Sequence, residues 1–327
     1  MESSPSKAQL IAAFGAVYLI WGSTYLAIRF AVETIPPFLM VAARFLVAGA
    51  FLYLWAIWQS KERPTLKHWF SASVVGFLLL VAGNGSVAWA EQTVPSGITA
   101  LIIAIVPLWM VLFDWIGSGI RPNTSTIVGV LLGMLGILIL VGPGELTGSE
   151  VDPIGGIVLI AATISWAYGS LHSRKAVLPK SPLLATAMEM LAAGVFLALI
   201  GLGTHEGSGL DVSSITTVSL VSLGYLIFFG SMVGFTAYIW ILRVAPPSKV
   251  ATYAFVNPVV AVFLGWALAN EPLTLNVLVA SAVIVAGVAT IIFTRDKTQV
   301  PEQKSAEPVV DRVNSSKEGL QEAIPCK

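Results

Sequence analysis

Charge is scarce in this sequence. Only 11% of its 327 residues are Asp, Glu, Lys or Arg, and 56% are apolar, whereas an ordinary soluble domain is about 25% charged and about 45 to 50% apolar. This small number of charged side chains cannot cover the surface of a water-soluble protein of this length. Most of the chain must therefore lie in lipid. The 18 basic and 18 acidic residues balance to a net charge of zero, which argues against a general nucleic-acid binder.

The residues of common catalytic and cofactor sites are also missing. The single cysteine, Cys326, excludes an internal disulfide framework and a cysteine metal cluster. The three histidines are scattered, without the His-Glu-x-x-His spacing of a zinc protease. No Gly-x-x-x-x-Gly-Lys-Ser/Thr phosphate loop occurs, so the chain does not itself use ATP and implies no ATPase partner. We therefore predict no metal, no cofactor and no enzymatic activity.

Long apolar windows dominate what is present. A helix needs about 20 apolar residues to cross roughly 30 Å of hydrocarbon. Short turns, none long enough to be a soluble domain, separate ten such windows, which cover approximately residues 10–31, 38–58, 69–90, 95–116, 124–141, 154–171, 182–203, 218–242, 250–269 and 275–293. The sequence therefore predicts an all-α integral membrane protein with ten transmembrane helices in a lipid bilayer.

The positions of Lys and Arg predict the orientation in the membrane, because cytoplasmic loops carry an excess of both. With residues 1–9 in the cytoplasm, Lys67, Arg121 and Arg243 fall on the cytoplasmic side, whereas the opposite loops carry carboxylates such as Glu33 and Glu206. An even number of helices returns the C-terminus to the cytoplasm. Residues 294–327 lack hydrophobic periodicity and predict a disordered cytoplasmic tail. We predict a plasma-membrane protein of the bacterial inner-membrane type.

The chain also repeats itself. Several Trp, Pro, Gly and Arg residues of the first half recur 145 or 151 positions later, as in Trp21 and Trp166, Arg29 and Arg174, Gly49 and Gly194, Gly83 and Gly234, and Pro107 and Pro258. Each repeat, 10–146 and 154–293, holds five predicted helices, and an odd number forces the second copy to enter the membrane upside down. Such an inverted repeat gives two packings of similar energy, one open to each side, as alternating access requires.

Matched prolines predict breaks in helices 4 and 9. Pro107 and Pro258 each remove a backbone donor and leave a carbonyl unpaired at mid-membrane, which is tolerated only against protein or a water-filled cavity. Gly83 and Gly234 soften predicted helices 3 and 8 in the same way. Close helix packing is the alternative explanation for the glycines, whereas breaks in both halves favour a cavity.

Several motifs resemble those of EamA-type members of the drug/metabolite transporter superfamily. They are Trp21-Gly22-Ser23-Thr24, Ala43-Arg44-Phe45, and the run from Asn257-Pro258 through Gly265 to Asn270-Glu271-Pro272-Leu273-Thr274. The resemblance covers residues 11–293. It implies a ten-helix plasma-membrane carrier with cytoplasmic ends, usually an exporter of amino acids, other metabolites or drugs. Where the family's helix 4 usually ends in a glutamate, this chain has Ile120 before Arg121, with Asp114 a turn or two earlier.

Two charged residues, Arg44 and Glu189, lie deep within the predicted spans. Arg44 and Glu189 are repeat mates, 145 positions apart, and each lies about 10 Å inside the start of its helix. A charge at this depth normally faces a partner or a cavity. We interpret Arg44 as an anchor for a substrate carboxylate and Glu189 as a proton-titrating or amine-binding group; a structural pair is the alternative. His172 and Asp114 are further candidates for proton coupling.

Aromatic and amide side chains complete the predicted substrate site. Tyr18, Trp21 and Tyr25 share one face of predicted helix 1 and suit stacking of a planar solute or a cation. Amides beside the helix breaks suit hydrogen bonds to a polar solute. The further candidates are Asn84, Trp166, Tyr168, Tyr238, Tyr253 and Asn257. Plain packing is the alternative for the aromatic residues, and interhelical hydrogen bonding for the amides.

The repeat and the breaks together favour a secondary transporter. We expect it to move a small organic solute, such as an amino acid, a related metabolite or a drug, by alternating access and as an exporter. Predicted helices 1, 3, 4, 6, 8 and 9 would line the central cavity, with Arg44 and Glu189 reaching it from helices 2 and 7. A passive channel or facilitator for small polar metabolites is the alternative, although no repeated filter segment is visible.

Overall fold

A computed structural model of the chain describes residues 5–59, 62–94, 99, 102–148, 152–209, 211–269 and 275–293. The predicted tail 294–327 and the motif from Asn270 to Thr274 lie outside the described residues. The residues up to Phe293 form one compact unit. All regular structure in the described part of the chain is helical, as predicted, and no β-strand occurs there.

The main helices are labelled α1 to α10 in chain order. They are α1 Lys7–Val32, α2 Pro37–Gln59, α3 Leu66–Ala90, α4 Val106–Ser118, α5 Thr124–Gly148, α6 Pro153–Ser173, α7 Pro182–Gly203, α8 Thr217–Val244, α9 Tyr253–Ala269 and α10 Leu275–Ile292. A short helix, Pro247–Val250, precedes α9, and two 3₁₀ turns, Glu206–Gly209 and Val212–Ser214, lie between α7 and α8.

Six of these helices are long and apolar enough to cross a membrane: α1, α2, α3, α6, α7 and α8. Val106–Ser118, Thr124–Gly136 and Leu278–Ile292 are shorter apolar helices of the described residues. Most helix positions follow the predicted windows, but α4 begins at Val106 although its window starts at residue 95. The number of crossings stays a prediction.

Local sequence signals start the helices where the structure has them. Ser6 and Thr65 each accept a hydrogen bond from the backbone three residues on, which caps α1 and α3. The carboxylate of Asp152 accepts from the first backbone N–H groups of α6, and Pro153 occupies the first helical position, where no N–H is needed. At the other end of a helix, Gly119 adopts a left-handed conformation, φ 71°, and terminates α4.

The middle of α3 and the middle of α8 are π-helical. The π segments are Phe77–Gly85 and Leu226–Phe235, which the 151-residue offset of the repeat brings almost into register. A π segment widens the helix and changes the partners of its carbonyls, and it is often found at functional sites. Helices α3 and α8 are therefore the irregular elements of the two halves, where the sequence analysis expected glycine-softened α-helices.

Helices α2 and α7 run antiparallel and cross closely at matched glycines. A Cβ on Gly49 would lie 3.0 Å from the backbone nitrogen of Leu191, and one on Gly194 would lie 3.0 Å from that of Leu46. Small residues allow such an approach of two backbones inside a membrane protein.

Two carboxylates fasten the same helix pair at its two ends. Glu62, which follows α2, accepts hydrogen bonds from the backbone nitrogens of Lys180 and Ser181 at the start of α7, at 3.0 and 3.2 Å. Glu206, which follows α7, accepts from those of Phe38 and Leu39 at the start of α2, at 3.3 and 3.0 Å. The same contact therefore occurs once in each direction between α2 and α7.

The α5–α10 contact gives a test of the glycine-mediated packing. A Cβ on Gly129 or on Gly287 would lie 2.8 Å from the backbone oxygen of the other residue. We expect Gly129→Ala and Gly287→Ala to lower the thermal midpoint of the purified protein in detergent, because overpacking costs about 1 to 3 kcal/mol and exceeds the helix-propensity gain of about 1 kcal/mol.

The matched control is Gly224→Ala in α8, where a Cβ meets nothing within 4 Å. This variant is expected to keep or slightly raise the midpoint. Equal midpoints for Gly129→Ala and Gly224→Ala would contradict the packing described for α5 and α10.

Candidate functional site

A cavity of about 580 Å³, including its open mouth, lies between the two halves. We call the end of the bundle at which α1 begins the N-terminal face, and the other end the opposite face. On α1 the cavity is lined from Trp21 to Ile28, and on α3 from Gly83 to Val87, which in both helices is the part nearer the opposite face. The cavity therefore extends from mid-bundle toward the opposite face.

Seven of the predicted substrate residues line this cavity, from α1, α2, α3, α6 and α9: Trp21, Tyr25, Arg44, Asn84, Trp166, Tyr253 and Asn257. Thr24 and Thr163 also line it, although the sequence analysis did not single them out. Their hydroxyls bond carbonyls of their own helices, at 2.8 and 2.7 Å. Threonine is common in membrane helices for this reason, so composition alone did not reveal the two residues.

Arg44 brings a buried positive charge to the cavity wall. Its Nε donates to the hydroxyl of Ser231 at 2.7 Å, and its Nη1 donates to the amide oxygen of Asn84 at 3.4 Å. Gly230 provides the space, because a Cβ there would lie 3.0 Å from Nη2. No carboxylate of the described residues lies within ion-pair distance of Arg44. The guanidinium is thus held by neutral groups from α3 and α8 and keeps donors to offer an anion.

Two tryptophans meet at the base of the cavity. The rings of Trp21 and Trp166 pack edge to face, with centroids 5.6 Å apart. Each ring lies against a glycine in the π segment of the other half: a Cβ on Gly234 would lie 2.7 Å from Nε1 of Trp21, and one on Gly83 would lie 2.7 Å from Cε3 of Trp166. Trp21 also donates through Nε1 to the carbonyl of Gly230 at 3.1 Å.

Aromatic and hydroxyl groups close the space between the tryptophans and the N-terminal face. The hydroxyl of Tyr238 accepts from Nε1 of Trp166 at 3.0 Å and bonds Ser170 at 2.5 Å. Tyr18 bonds the hydroxyl of Thr252 at 2.5 Å. Tyr238 is fully buried, and its ring is 4.8 Å from that of Trp21. We call these residues, Tyr18, Ser170, Tyr238 and Thr252, the sealing layer. Tyr18 and Tyr238 therefore close the cavity and do not line it.

The amide of Asn257 joins α9 to α1 at the cavity. In the orientation that satisfies its neighbours, its nitrogen donates to the backbone oxygens of Tyr253 and Tyr18, at 3.0 and 3.3 Å. Tyr253 packs edge to face on Trp21, with ring centroids 5.1 Å apart. Asn257 is thus held in place by backbone groups of both halves.

The helix breaks do not lie at Pro107 and Pro258, where the sequence predicts them. Pro107 occupies the first turn of α4, and the non-helical step precedes it at residues 104–105, where Ile105 bonds the carbonyl of Ile102. Pro258 lies inside α9, and the corresponding step is at residues 251–252, before the helix begins. A proline is tolerated in the first turn of a helix, which explains why α4 restarts there.

Three predicted residues lie away from the cavity, at the N-terminal-face ends of α4 and α6. Tyr168 is 53% exposed and stacks on His172, with ring centroids 6.0 Å apart, and it contacts Phe113 edge to face. Asp114 is exposed and lies within electrostatic reach of Arg174 and Lys175. The structure thus groups Tyr168, His172 and Asp114 beside the basic end of α6 and not with the substrate residues.

Glu189 is also outside the cavity, yet fully buried. Its exposed fraction is 0%, and neither carboxyl oxygen has a hydrogen-bond partner among the described residues. Arg243 is the charge that acts on it electrostatically. Glu91, directly after α3, is a second residue whose carboxyl oxygens are buried without a hydrogen-bond partner among the described residues.

The family models and sequences of known proteins give consistent matches. The model of the EamA-like transporter family matches twice, over residues 8–142 and 153–293. The uncharacterized inner membrane transporter YedA of Escherichia coli strain K12 is 38% identical over 312 residues, which cover 94% of this chain and 98% of YedA. A probable amino-acid metabolite efflux pump of the same strain is 22% identical over 291 residues, covering 85% of this chain and 92% of the pump.

A solved crystal structure has the same fold. It superposes with a TM-score of 0.72 at 20% sequence identity, and the match covers 87% of this chain and 96% of the other. The uncharacterized transporter YvbV of Bacillus subtilis strain 168 is 24% identical over 301 residues, covering 90% of this chain and 94% of YvbV. The two separate matches of one family model also establish the two repeats.

The Tyr238 hydroxyl gives a test of the sealing layer. Tyr238→Phe leaves the indole N–H of Trp166 without its acceptor in a buried place, which costs about 1 to 3 kcal/mol. We expect a lower thermal midpoint for the purified protein. The same chemical change at the half-exposed ring of Tyr168, Tyr168→Phe, is the control and should leave the midpoint unchanged. Equal effects of the two variants would contradict the described role of Tyr238.

Proposed function

Because this chain belongs to the EamA-like transporter family, as its motifs predict, we propose that it is a secondary transporter that moves a small organic solute bearing a carboxylate out of the cytoplasm by alternating access. The solute class comprises amino acids, related metabolites and drugs. The names of the family and of its relatives indicate a transporter and not an enzyme. One relative is named as a probable amino-acid metabolite efflux pump, which supports this class and the outward direction.

The observation that carries the proposal is the guanidinium of Arg44 in the cavity wall. A charge inside the membrane costs at least about 2.5 kcal/mol. Arg44 faces a cavity, and neutral partners hold its Nε and Nη1. A buried arginine in this setting is suited to bind a carboxylate through two parallel hydrogen bonds.

The remaining walls suit the rest of such a solute. Tyr25, Trp21 and Trp166 offer aromatic surface, and Asn84, Thr24 and Thr163 lie among them as polar side chains. Ligand sites of this kind combine apolar walls with a few polar groups that fix orientation. The proposed substrate residues are therefore those of the cavity, with Tyr18 and Tyr238 behind them as part of the seal.

The proposed topology is ten crossings as two inverted five-helix halves, residues 10–146 and 154–293, with both ends in the cytoplasm of a bacterial cell. The reciprocal contacts of Glu62 and Glu206 support the inversion, and the distribution of Lys and Arg supports the orientation. With this orientation the cavity opens to the outside. Proton coupling through Glu189, Asp114 or His172 stays a prediction.

The experiment measures uptake of radiolabelled amino acids into proteoliposomes that are either empty or loaded with a mixture of unlabelled amino acids. A carrier saturates and is stimulated by solute on the far side of the membrane. We expect Arg44→Gln to raise the half-saturation concentration at least about tenfold, because loss of one charge-assisted partner costs about 2 to 5 kcal/mol. Arg44→Lys keeps the charge but cannot make two parallel hydrogen bonds, so its half-saturation concentration should lie between those of the unmodified protein and Arg44→Gln.

Arg63→Gln, in the exposed loop before α3, is the matched control and should transport as the unmodified protein does. Equal loss in Arg63→Gln and Arg44→Gln, or flux that does not saturate and appears as unitary currents, would contradict the proposal. The second result would favour the channel alternative.

A further inference from the structure

The two repeat mates inside the membrane carry opposite charges. Arg44 and Glu189 each lie seven residues after the first residue of their helices, Pro37 of α2 and Pro182 of α7. Because α2 and α7 run antiparallel, Arg44 lies toward the opposite face and Glu189 lies toward the N-terminal face at the same depth. Only Arg44 lines the cavity in this structure.

Glu189 is unpartnered where a structural role would supply partners. Its carboxyl oxygens are buried and make no hydrogen bond within the described residues, although a buried polar group without a partner destabilises the fold. Arg243, whose charge acts on Glu189, gives its own hydrogen bonds to the backbone oxygens of Lys180 and Pro179. No hydrogen bond among the described residues therefore explains why this position carries a carboxyl.

The repeat provides an explanation through the other state of the carrier. In an inverted-repeat transporter, each half in one state adopts the arrangement that the other half has in the opposite state. Tyr25 and Thr163 line the cavity now, and their mates, 145 positions away, are Ser170 and Tyr18 in the sealing layer. Exchange of the two arrangements opens the sealing layer to the N-terminal face.

We propose that Glu189 lines the binding site when the transporter opens to the N-terminal face, so that the site offers a guanidinium to one side and a carboxylate to the other. The group that Glu189 binds is an ammonium of the solute, which makes the solute zwitterionic. This inference rests on the proposed alternating access. In such a site, Arg44 releases the carboxylate of the solute when Arg44 is withdrawn into the sealed part of the bundle. Glu189 releases the ammonium in the same way in the other state.

Cysteine accessibility tests the exposure of Glu189. The chain has one cysteine, so Cys326→Ser gives a silent background. In vesicles of defined orientation, a membrane-impermeant maleimide should react with Thr163→Cys from the opposite face, and with Ser170→Cys and Glu189→Cys from the N-terminal face. Ala193→Cys is the control in α7, because Ala193 and its mate Ala48 are both fully buried and should react from neither side.

Comparison of Ser170→Cys with Glu189→Cys separates a failure of this inference from a failure of the proposed function. If Ser170→Cys never reacts from the N-terminal face, alternating access itself fails. If Ser170→Cys reacts and Glu189→Cys reacts no faster than Ala193→Cys, alternating access stands and the inference about Glu189 is overturned. Should Glu189→Cys fail to fold, the inference is decided by whether charged probes protect Ser170→Cys from labelling.

Two probes with one ring and opposite charges test the ammonium. Tyramine and 3-(4-hydroxyphenyl)propionate are added at the N-terminal face during labelling of Ser170→Cys. We expect tyramine to slow labelling severalfold and the carboxylate probe to have no effect. The protection by tyramine should disappear in Glu189→Gln and persist in Glu189→Asp. Equal protection by both probes, or protection that survives Glu189→Gln, would overturn the assignment of the ammonium to Glu189.

Discussion

The contact between Trp21 and Trp166 at the centre of the bundle is the constraint from which the site follows. Each ring needs a position without a Cβ in the opposite half, which Gly234 and Gly83 provide. Both glycines lie in π segments, where the helix is widened. The base of the cavity is therefore made by both halves together, and neither half could form it alone.

The charges are arranged around this centre. Arg44 approaches the cavity because Gly230 leaves space for its guanidinium and because Ser231 and Asn84 accept its hydrogen bonds. The same π segment of α8 thus holds the base of the cavity through Gly234 and its charge through Gly230 and Ser231. A shift of α8 would move the aromatic base and the proposed anion site together, which would link the proposed binding to a change of conformation.

Packing between the halves is also tight away from the cavity. Helices α2 and α7 are fastened at both ends by Glu62 and Glu206 and cross at small residues. Helix α5 meets α10 backbone to backbone at Gly129 and Gly287. The sealing layer combines aromatic contacts with hydroxyl and indole hydrogen bonds such as that from Trp166 to Tyr238, and each such hydrogen bond contributes about 1 kcal/mol net.

Much of the fold could be read from the sequence, because the length and apolar character of the windows are dictated by the bilayer. Matched Trp and Gly residues gave the repeat, and the depth of Arg44 identified a cavity residue. Tyr168 was included among the site residues although it lies two positions from Trp166, and residues two apart on a helix face different ways. The π segments and the partner Ser231 could not be predicted, because each depends on contacts between helices that no local pattern encodes.

A double-mutant cycle between Gly83 and Trp166 measures the central contact most directly. Thermal or denaturant stability of the purified protein is compared for Gly83→Ala, Trp166→Phe and the double variant. The smaller ring removes the atoms that meet the new methyl group, so the loss from Gly83→Ala should largely disappear in the Trp166→Phe background, with a coupling energy within about 0.5 to 3 kcal/mol. Additive losses would contradict the seating of Trp166 on Gly83 and the assembly of the cavity base from both halves.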